Sequence, residues 1–273
     1  MEGLIRWTLL ISGGIICALA YQAAWQWCRG SDGLLGPSII LSNTPWIAAL
    51  VVLGATVVGG VVLVMVSRMV TTLSGMAVIG AGLGWSALGL ADLYQPTLDA
   101  SVSWLVVDGL GWAMAVFILS VLAFWAGGSL PDVQPLDGTP VDPLRSPEAL
   151  RLMLAGAAAL PLVWMVAVTA MRGQSLGATV IGGMAAGIVG RLISPNVQPI
   201  LLPMSVVLWG AGAMWVSGQL LPSDVAAAWS QGNVTGLLFP APVDWAVGGL
   251  LGVPIGFRLA GWFLHHEESA AAA

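Results

Sequence analysis

The stretch Trp46–Ser67 reads WIAALVVLGATVVGGVVLVMVS, without one charged side chain. About 20 apolar residues in helical form cross a ~30 Å hydrocarbon core, and lipid offers no partner to an open backbone. Such a run is a membrane-spanning helix. Outward from it, seven further stretches reach spanning length. The expected spans are 4–28, 46–67, 72–91, 103–126, 152–171, 175–193, 200–221 and 244–264. The sixth is the least sharply bounded, since only Gly173 and Gln174 separate it from Arg172. Trp7, Trp27, Trp46, Trp104, Trp125, Trp245 and Trp262 fall near span ends, where an aromatic belt belongs. Arg6, an apolar run and Ala18-Leu19-Ala20 imitate a secretory signal, but the run continues to Trp27 and reads as the first span.

Composition requires the same solvent. Hydrophobic residues make up 58% of the chain and charged residues 8%, against about a quarter charged in a soluble domain. The expected class is an all-α polytopic integral membrane protein of eight spans.

The quoted run also occurs twice. Leu53-Gly54-Ala55-Thr56-Val57-Val58-Gly59-Gly60 returns as Leu176-Gly177-Ala178-Thr179-Val180-Ile181-Gly182-Gly183, with Arg68 and Arg191 following at the same spacing. Gly80-Ala81-Gly82 and Trp85 return as Gly210-Ala211-Gly212 and Trp215. Trp104, Val106, Leu110 and Gly111 return as Trp245, Val247, Leu251 and Gly252, and Arg29-Gly30 mirrors Arg172-Gly173. Apolar helices match by chance, but an unbroken order of matches is a duplication. Each copy holds an even number of spans, so both have one orientation and a pseudo-twofold axis along the membrane normal is expected. The expected organisation is a first four-helix repeat over 1–127, a linker over 128–148, a second repeat over 149–265 and a tail over 266–273. The linker interleaves Pro131, Pro135, Pro140, Pro143 and Pro147 with Asp132, Asp137 and Asp142, which reads as extended and solvated.

Arginine counts orient the chain. With the N-terminus inside, the inner segments hold Arg6, Arg68, Arg145, Arg151 and Arg191, with Arg258 near the inner end of the last span; the outside keeps Arg29 and Arg172. Both termini are expected in the cytoplasm, in a bacterial or archaeal cytoplasmic membrane. Asn233-Val234-Thr235 fits a glycosylation sequon, a short match of little weight.

Many chemistries lack their residues. No expected span interior contains His, which removes bis-imidazole haem and buried His metal clusters. The chain has no Lys, so a retinal Schiff base has no attachment point. A Ser–His protease lacks its base. For an aspartyl protease the nearest carboxylates, Asp92 and Asp108, lack the Gly-x-Gly-Asp setting. Cys17 and Cys28 are eleven residues apart, about 16 Å along a helix, too far for a disulfide. The adjacent His265-His266-Glu267-Glu268 offers poor metal geometry, and no basic stripe suggests nucleic acid. No enzyme activity, cofactor or metal is expected.

The remaining polar features are few. Asp108 lies about a turn and a half into the fourth span, where an ionisable group is costly and is a candidate site; its repeat counterpart is Gly249. Thr56 and Thr179 form a symmetric pair, each able to bond its own helix. Arg258 is placed to snorkel to headgroups and contact an anionic lipid. Two functions fit: a membrane-embedded subunit or scaffold whose Gly/Ala faces pack on partner helices, or a transporter with a solute site between the repeats near Asp108. The near absence of charge within the spans leans toward the first. Membrane lipids, and other membrane subunits, are the expected partners.

Overall fold

The protein is described here by a computed structural model covering residues 2–30, 33–36, 38–91, 95–133, 142, 144–221 and 234–271, the side chains of 2, 95–101 and 265–271 excepted. Asp92, Asp224, Asn233 and most of the linker lie outside the described residues, as do the side chains of Asp99, His265, His266, Glu267 and Glu268.

Regular structure among the described residues is helical: α1 (Glu2–Trp25), α2 (Pro45–Met69), α3 (Thr72–Ala87), α4 (Gln95–Gly127), α5 (Pro147–Ala155), α6 (Ala159–Val166), α7 (Arg172–Ile193), α8 (Leu202–Gln219), α9 (Pro242–Val247) and α10 (Val253–Ala271). Six stretches are long and apolar enough to cross a membrane: Gly3–Trp25, Pro45–Met69, Val102–Gly127, Pro147–Val166, Arg172–Ile193 and Pro242–Leu264. The third and seventh expected spans form α3 and α8, of 16 and 18 residues. At 1.5 Å per residue they are about 24 and 27 Å long, short of a full hydrocarbon core. The chain is an all-helical membrane protein with six helices of spanning length.

Helix starts follow local chemistry. Thr71 accepts from the backbone N–H of Ser74 to cap α3, and Ser146 accepts from that of Ala149 to cap α5 ahead of Pro147. Prolines explain two interior irregularities. Pro161 cannot donate to the carbonyl of Ala157, and the chain tightens into a 3-10 turn over Gly156–Ala158 between α5 and α6. Pro254 cannot donate to the carbonyl of Leu250, and the preceding turn widens into a π-helix over Gly248–Gly252, where Val253 N–H reaches back to Gly248 O.

Close approach through glycine dominates the packing. On α7, Gly183 and Gly187 lie against Gly248, Gly252, Val253 and Gly256 of the last span. A Cβ on Gly183, Gly187, Gly252 or Gly256 would overlap a backbone oxygen opposite. This is backbone-on-backbone contact of the small-xxx-small kind. Between the halves, α4 lies on α8 while α3 lies on the π turn and α10, and α4 meets α9. Gly109 of α4 faces Ala211 of α8 at 3.0 Å, and Gly80 of α3 faces the Leu250–Leu251 backbone at 2.7 Å, each distance measured from an added Cβ.

Connections at one end of the bundle are folded down onto it. The described residues between 26 and 44 are held by Gly36 N–H to Cys28 O, Asn43 N–H to Arg29 O, and the Asn43 amide to Gly30 O, at 2.8 Å each. Ala91 N–H closes on Leu35 O at 2.8 Å. In the other half, Gly236 lies against the carbonyls of Trp164 and Ala167.

Candidate functional site

Asp108 sits on α4 with 4% of its surface exposed. Its Oδ2 accepts the Ile39 backbone N–H at 3.0 Å, and the buried Ser38 side chain bonds the same carboxylate. Both partners come from the 26–44 connection, which caps the helix end where Asp108 lies. The neighbouring residue Gly109 faces α8, so Asp108, about 100° further round the helix, points away from that contact. One turn on, Trp112 forms an aromatic group with Tyr21 and Trp25 at centroid distances of 6.3–6.5 Å. The Trp25 indole donates to Ser86 Oγ at 3.0 Å, whereas the buried Trp112 Nε1 has no partner.

Beside Ser86 lies a site that loop counting missed. Arg172, expected in an outer connection, is the first residue of α7 and is buried. Its Nη1 donates to Asp244 Oδ2 at 2.7 Å, and Nη2 and Oδ1 meet as an ion pair at 2.6 Å. Its Nε donates to the Ala87 carbonyl at the end of α3 at 3.0 Å. Asp244 is fully buried and also accepts the Ala241 N–H at 2.8 Å, at the start of α9 where the helix dipole favours an anion. One fork of hydrogen bonds thus ties α7, α9 and α3 together across both halves.

A second ion pair holds the opposite end. Arg191 Nη2 bonds the Asp132 backbone oxygen at 2.6 Å and its carboxylate at 3.3 Å, with the guanidinium 5.1 Å above the Phe257 ring. Gln198 accepts Leu130 N–H and donates to Val133 O, both at 2.9 Å. Residues 130–133, the start of the expected solvated linker, are therefore clamped to the second half.

These pairs correct one expectation. Asp108, Arg172, Arg191 and Asp244 are all buried, so charge is not nearly absent from the helical core. Every one of them has a protein partner. The other sequence candidates stand apart from one another. Thr56 donates to its own Val52 carbonyl at 2.8 Å and accepts from Tyr21 Oη at 3.2 Å. Thr179 is fully buried and donates to Leu176 O at 2.8 Å. Arg258 is exposed at the opposite end of the bundle from Asp108. Asp244 was legible only as the first residue of an expected span; Pro242 two positions earlier was the signal that a helix already begins there.

Chemically, the Asp108 and Arg172–Asp244 cluster can hold helices and loops in place. Each of its three charged side chains is paired with protein groups. No group of three or more metal-ligating side chains occurs among the described residues. Comparison with protein families, with curated proteins and with solved structures finds no match to this chain.

Proposed function

We propose that this membrane protein is a non-catalytic, multi-pass subunit or scaffold that packs against partner helices. The observation that carries the reading is α1. Only 11% of its most apolar stretch is buried, against 61% in the last span. Leu4, Trp7, Ile11, Ile15 and Leu19 are each more than half exposed along one helix. Small residues Gly14, Ala18, Ala81 and Gly82 floor a groove of about 440 Å³ between α1 and α3, rimmed by Gln22 and Trp85. A groove floored by small side chains is where a further helix approaches closely in lipid. The ionic or hydrogen-bonded partner of every buried charge among the described residues supports the same role.

The expected architecture of eight crossings in two same-orientation repeats belongs to this proposal. Its support is a matched pair of contacts: Gly109 with Ala211, and Gly80 with Leu250 and Leu251. Under the Trp104–Trp245 and Gly80–Gly210 alignments α4 on α8 and α3 on the last span are equivalent helix pairs, their contacts displaced by one residue. A transporter with a site between the repeats is the weaker reading, since Asp108 bonds a connection and turns away from the Gly109–Ala211 contact.

Photo-cross-linking in the native membrane tests the role. A benzophenone amino acid at Ile15 is expected to give a discrete protein adduct, and one at Leu50 lipid adducts alone. Absence of any protein adduct at Ile15, together with solute flux in proteoliposomes that Asp108→Asn abolishes, would replace the scaffold with the transporter.

A further inference from the structure

A polar pocket of about 480 Å³ opens at the end of the bundle opposite Asp108, where α2 turns into α3 and α4 ends. Arg68 and Arg258 line it, together with Ser67, Thr71, Thr72 and Asp132. The charges on its wall do not cancel. Asp132 is engaged by Arg191, whereas neither Arg68 nor Arg258 has an ionic partner among the described residues. Arg68 stacks over the Trp125 ring at 5.3 Å, which uses its face and leaves its N–H donors at the edge. The Ser67 hydroxyl is buried against Gly75 of α3 behind this wall. The positive end of α3 also begins here, at Thr72. Two unpaired guanidinium groups beside a helix start form a receptor for a phosphate group.

The surface leading away from this pocket is apolar. Leu53, Val57, Gly60 and Val64 of α2 face Ile118 and Leu122 of α4 across a groove of about 360 Å³. Ser67 and Arg68 continue that α2 face three and four residues beyond Val64. A charged pocket at the foot of an apolar groove on a membrane helix has the shape of an amphiphile.

We infer that this pocket binds the phosphate of one anionic phospholipid, with an acyl chain lying in the α2–α4 groove. The inference rests on the membrane placement of the chain and not on the scaffold reading.

Native mass spectrometry of the full chain in mild detergent tests it, with phosphatidylglycerol and phosphatidylcholine of identical chains as probes. Phosphatidylglycerol is expected to be retained as a single adduct in preference to phosphatidylcholine. Attraction to basic side chains is worth about fivefold per arginine, so R68Q/R258Q should lower that preference roughly thirtyfold. Arg151→Gln, an exposed arginine on α5, should leave it unchanged. Gly60→Leu, whose Cβ has room at 3.6 Å from Leu119, should fill the groove and weaken both lipids together. Single Arg258→Gln serves if the double variant does not fold, with about fivefold expected. Equal retention of the two lipids by wild type, or a preference that survives R68Q/R258Q, overturns the inference. Displacement of phosphatidylglycerol by millimolar inorganic phosphate would assign the pocket to a soluble phosphate and overturn the lipid. Unchanged retention in Gly60→Leu would overturn the placement of the chain.

Discussion

The α2–α4 pair and the pair formed by α7 with the last span begin from nearly the same sequence and end differently. Both α2 and α7 carry the Leu-Gly-Ala-Thr-Val-x-Gly-Gly motif. On α7 the motif meets Gly248 and Gly252, Gly256 follows against Met184, and the two backbones touch. On α2 it meets Leu119 and Leu122 beside Gly60, and a groove stays open along Thr56, Val57 and Val61. A glycine permits close approach, and what it meets on the facing helix decides whether the backbones touch. The partner helix decides whether the motif closes a seam or leaves a surface.

The largest test of that contrast is to add side chains to both pairs. Gly256→Leu would drive a side chain into the Met184 backbone, and the folded protein should be lost or destabilised by more than about 3 kcal/mol. Gly111→Leu on α4, with nothing within 4 Å, should melt within a degree or two of wild type. Thermal unfolding in detergent with size-exclusion recovery reads both. Equal tolerance would show that the α7 seam is not closed.

The mirrored arginines sharpen the comparison next. Arg172→Met leaves Asp244 buried and uncompensated and should cost about 3–5 kcal/mol, with much of it recovered in Arg172→Met/Asp244→Leu. Arg29, which the expected repeat pairs with it, is exposed, and its side chain bonds Gln26 and the Gly33 carbonyl among the described residues, so Arg29→Met should cost no more than about 0.5 kcal/mol. If the double variant is no better than the single, the ion pair is not what Arg172 supplies.

Asp108→Asn comes third. Weakening a charged acceptor of the Ile39 N–H and the Ser38 side chain should cost about 1.5–3 kcal/mol and loosen the described part of the 26–44 connection. Cys28, fully buried beneath it, should change from inert to reactive toward a maleimide without global unfolding. Labelling that stays at the wild-type rate would remove Asp108 from the role of holding that connection.

The smallest effect belongs to the threonines. Thr179→Val removes a bond within one helix and should be nearly neutral, whereas Thr56→Val also strips Tyr21 of its acceptor and should cost about 0.6 kcal/mol. The reverse order would mean that the two positions are not used as the contacts suggest.

Sequence carried the solvent and the helices, because apolar length alone decides what can cross lipid. It overestimated two helices: α3 ends at Ala87 and α8 at Gln219, since apolar residues continue past the point where the backbone stops winding. The cost of placing a carboxylate at Asp108 was legible. Its anchor at Ile39 was not, because a backbone N–H in a connection leaves no mark in the residue pattern. Arg172 and Asp244 were each visible as charges near span ends, but they are 72 residues apart and no local spacing joins them. Counting Arg172 as solvated assumed that a charge beside a helix end faces water. The three acceptors gathered around it make the opposite arrangement stable.

That separation has a consequence for how the protein is made. Arg172 leaves the ribosome 72 residues before the carboxylate that neutralises it. At roughly 5–20 residues per second the interval is on the order of 4–14 s. Throughout that time α7 begins with a cation whose carboxylate partner does not yet exist. A nascent chain stopped before Asp244 is therefore held open at the α3–α7 junction. Only when Asp244 is made can Arg172 complete the contacts that join α3, α7 and α9.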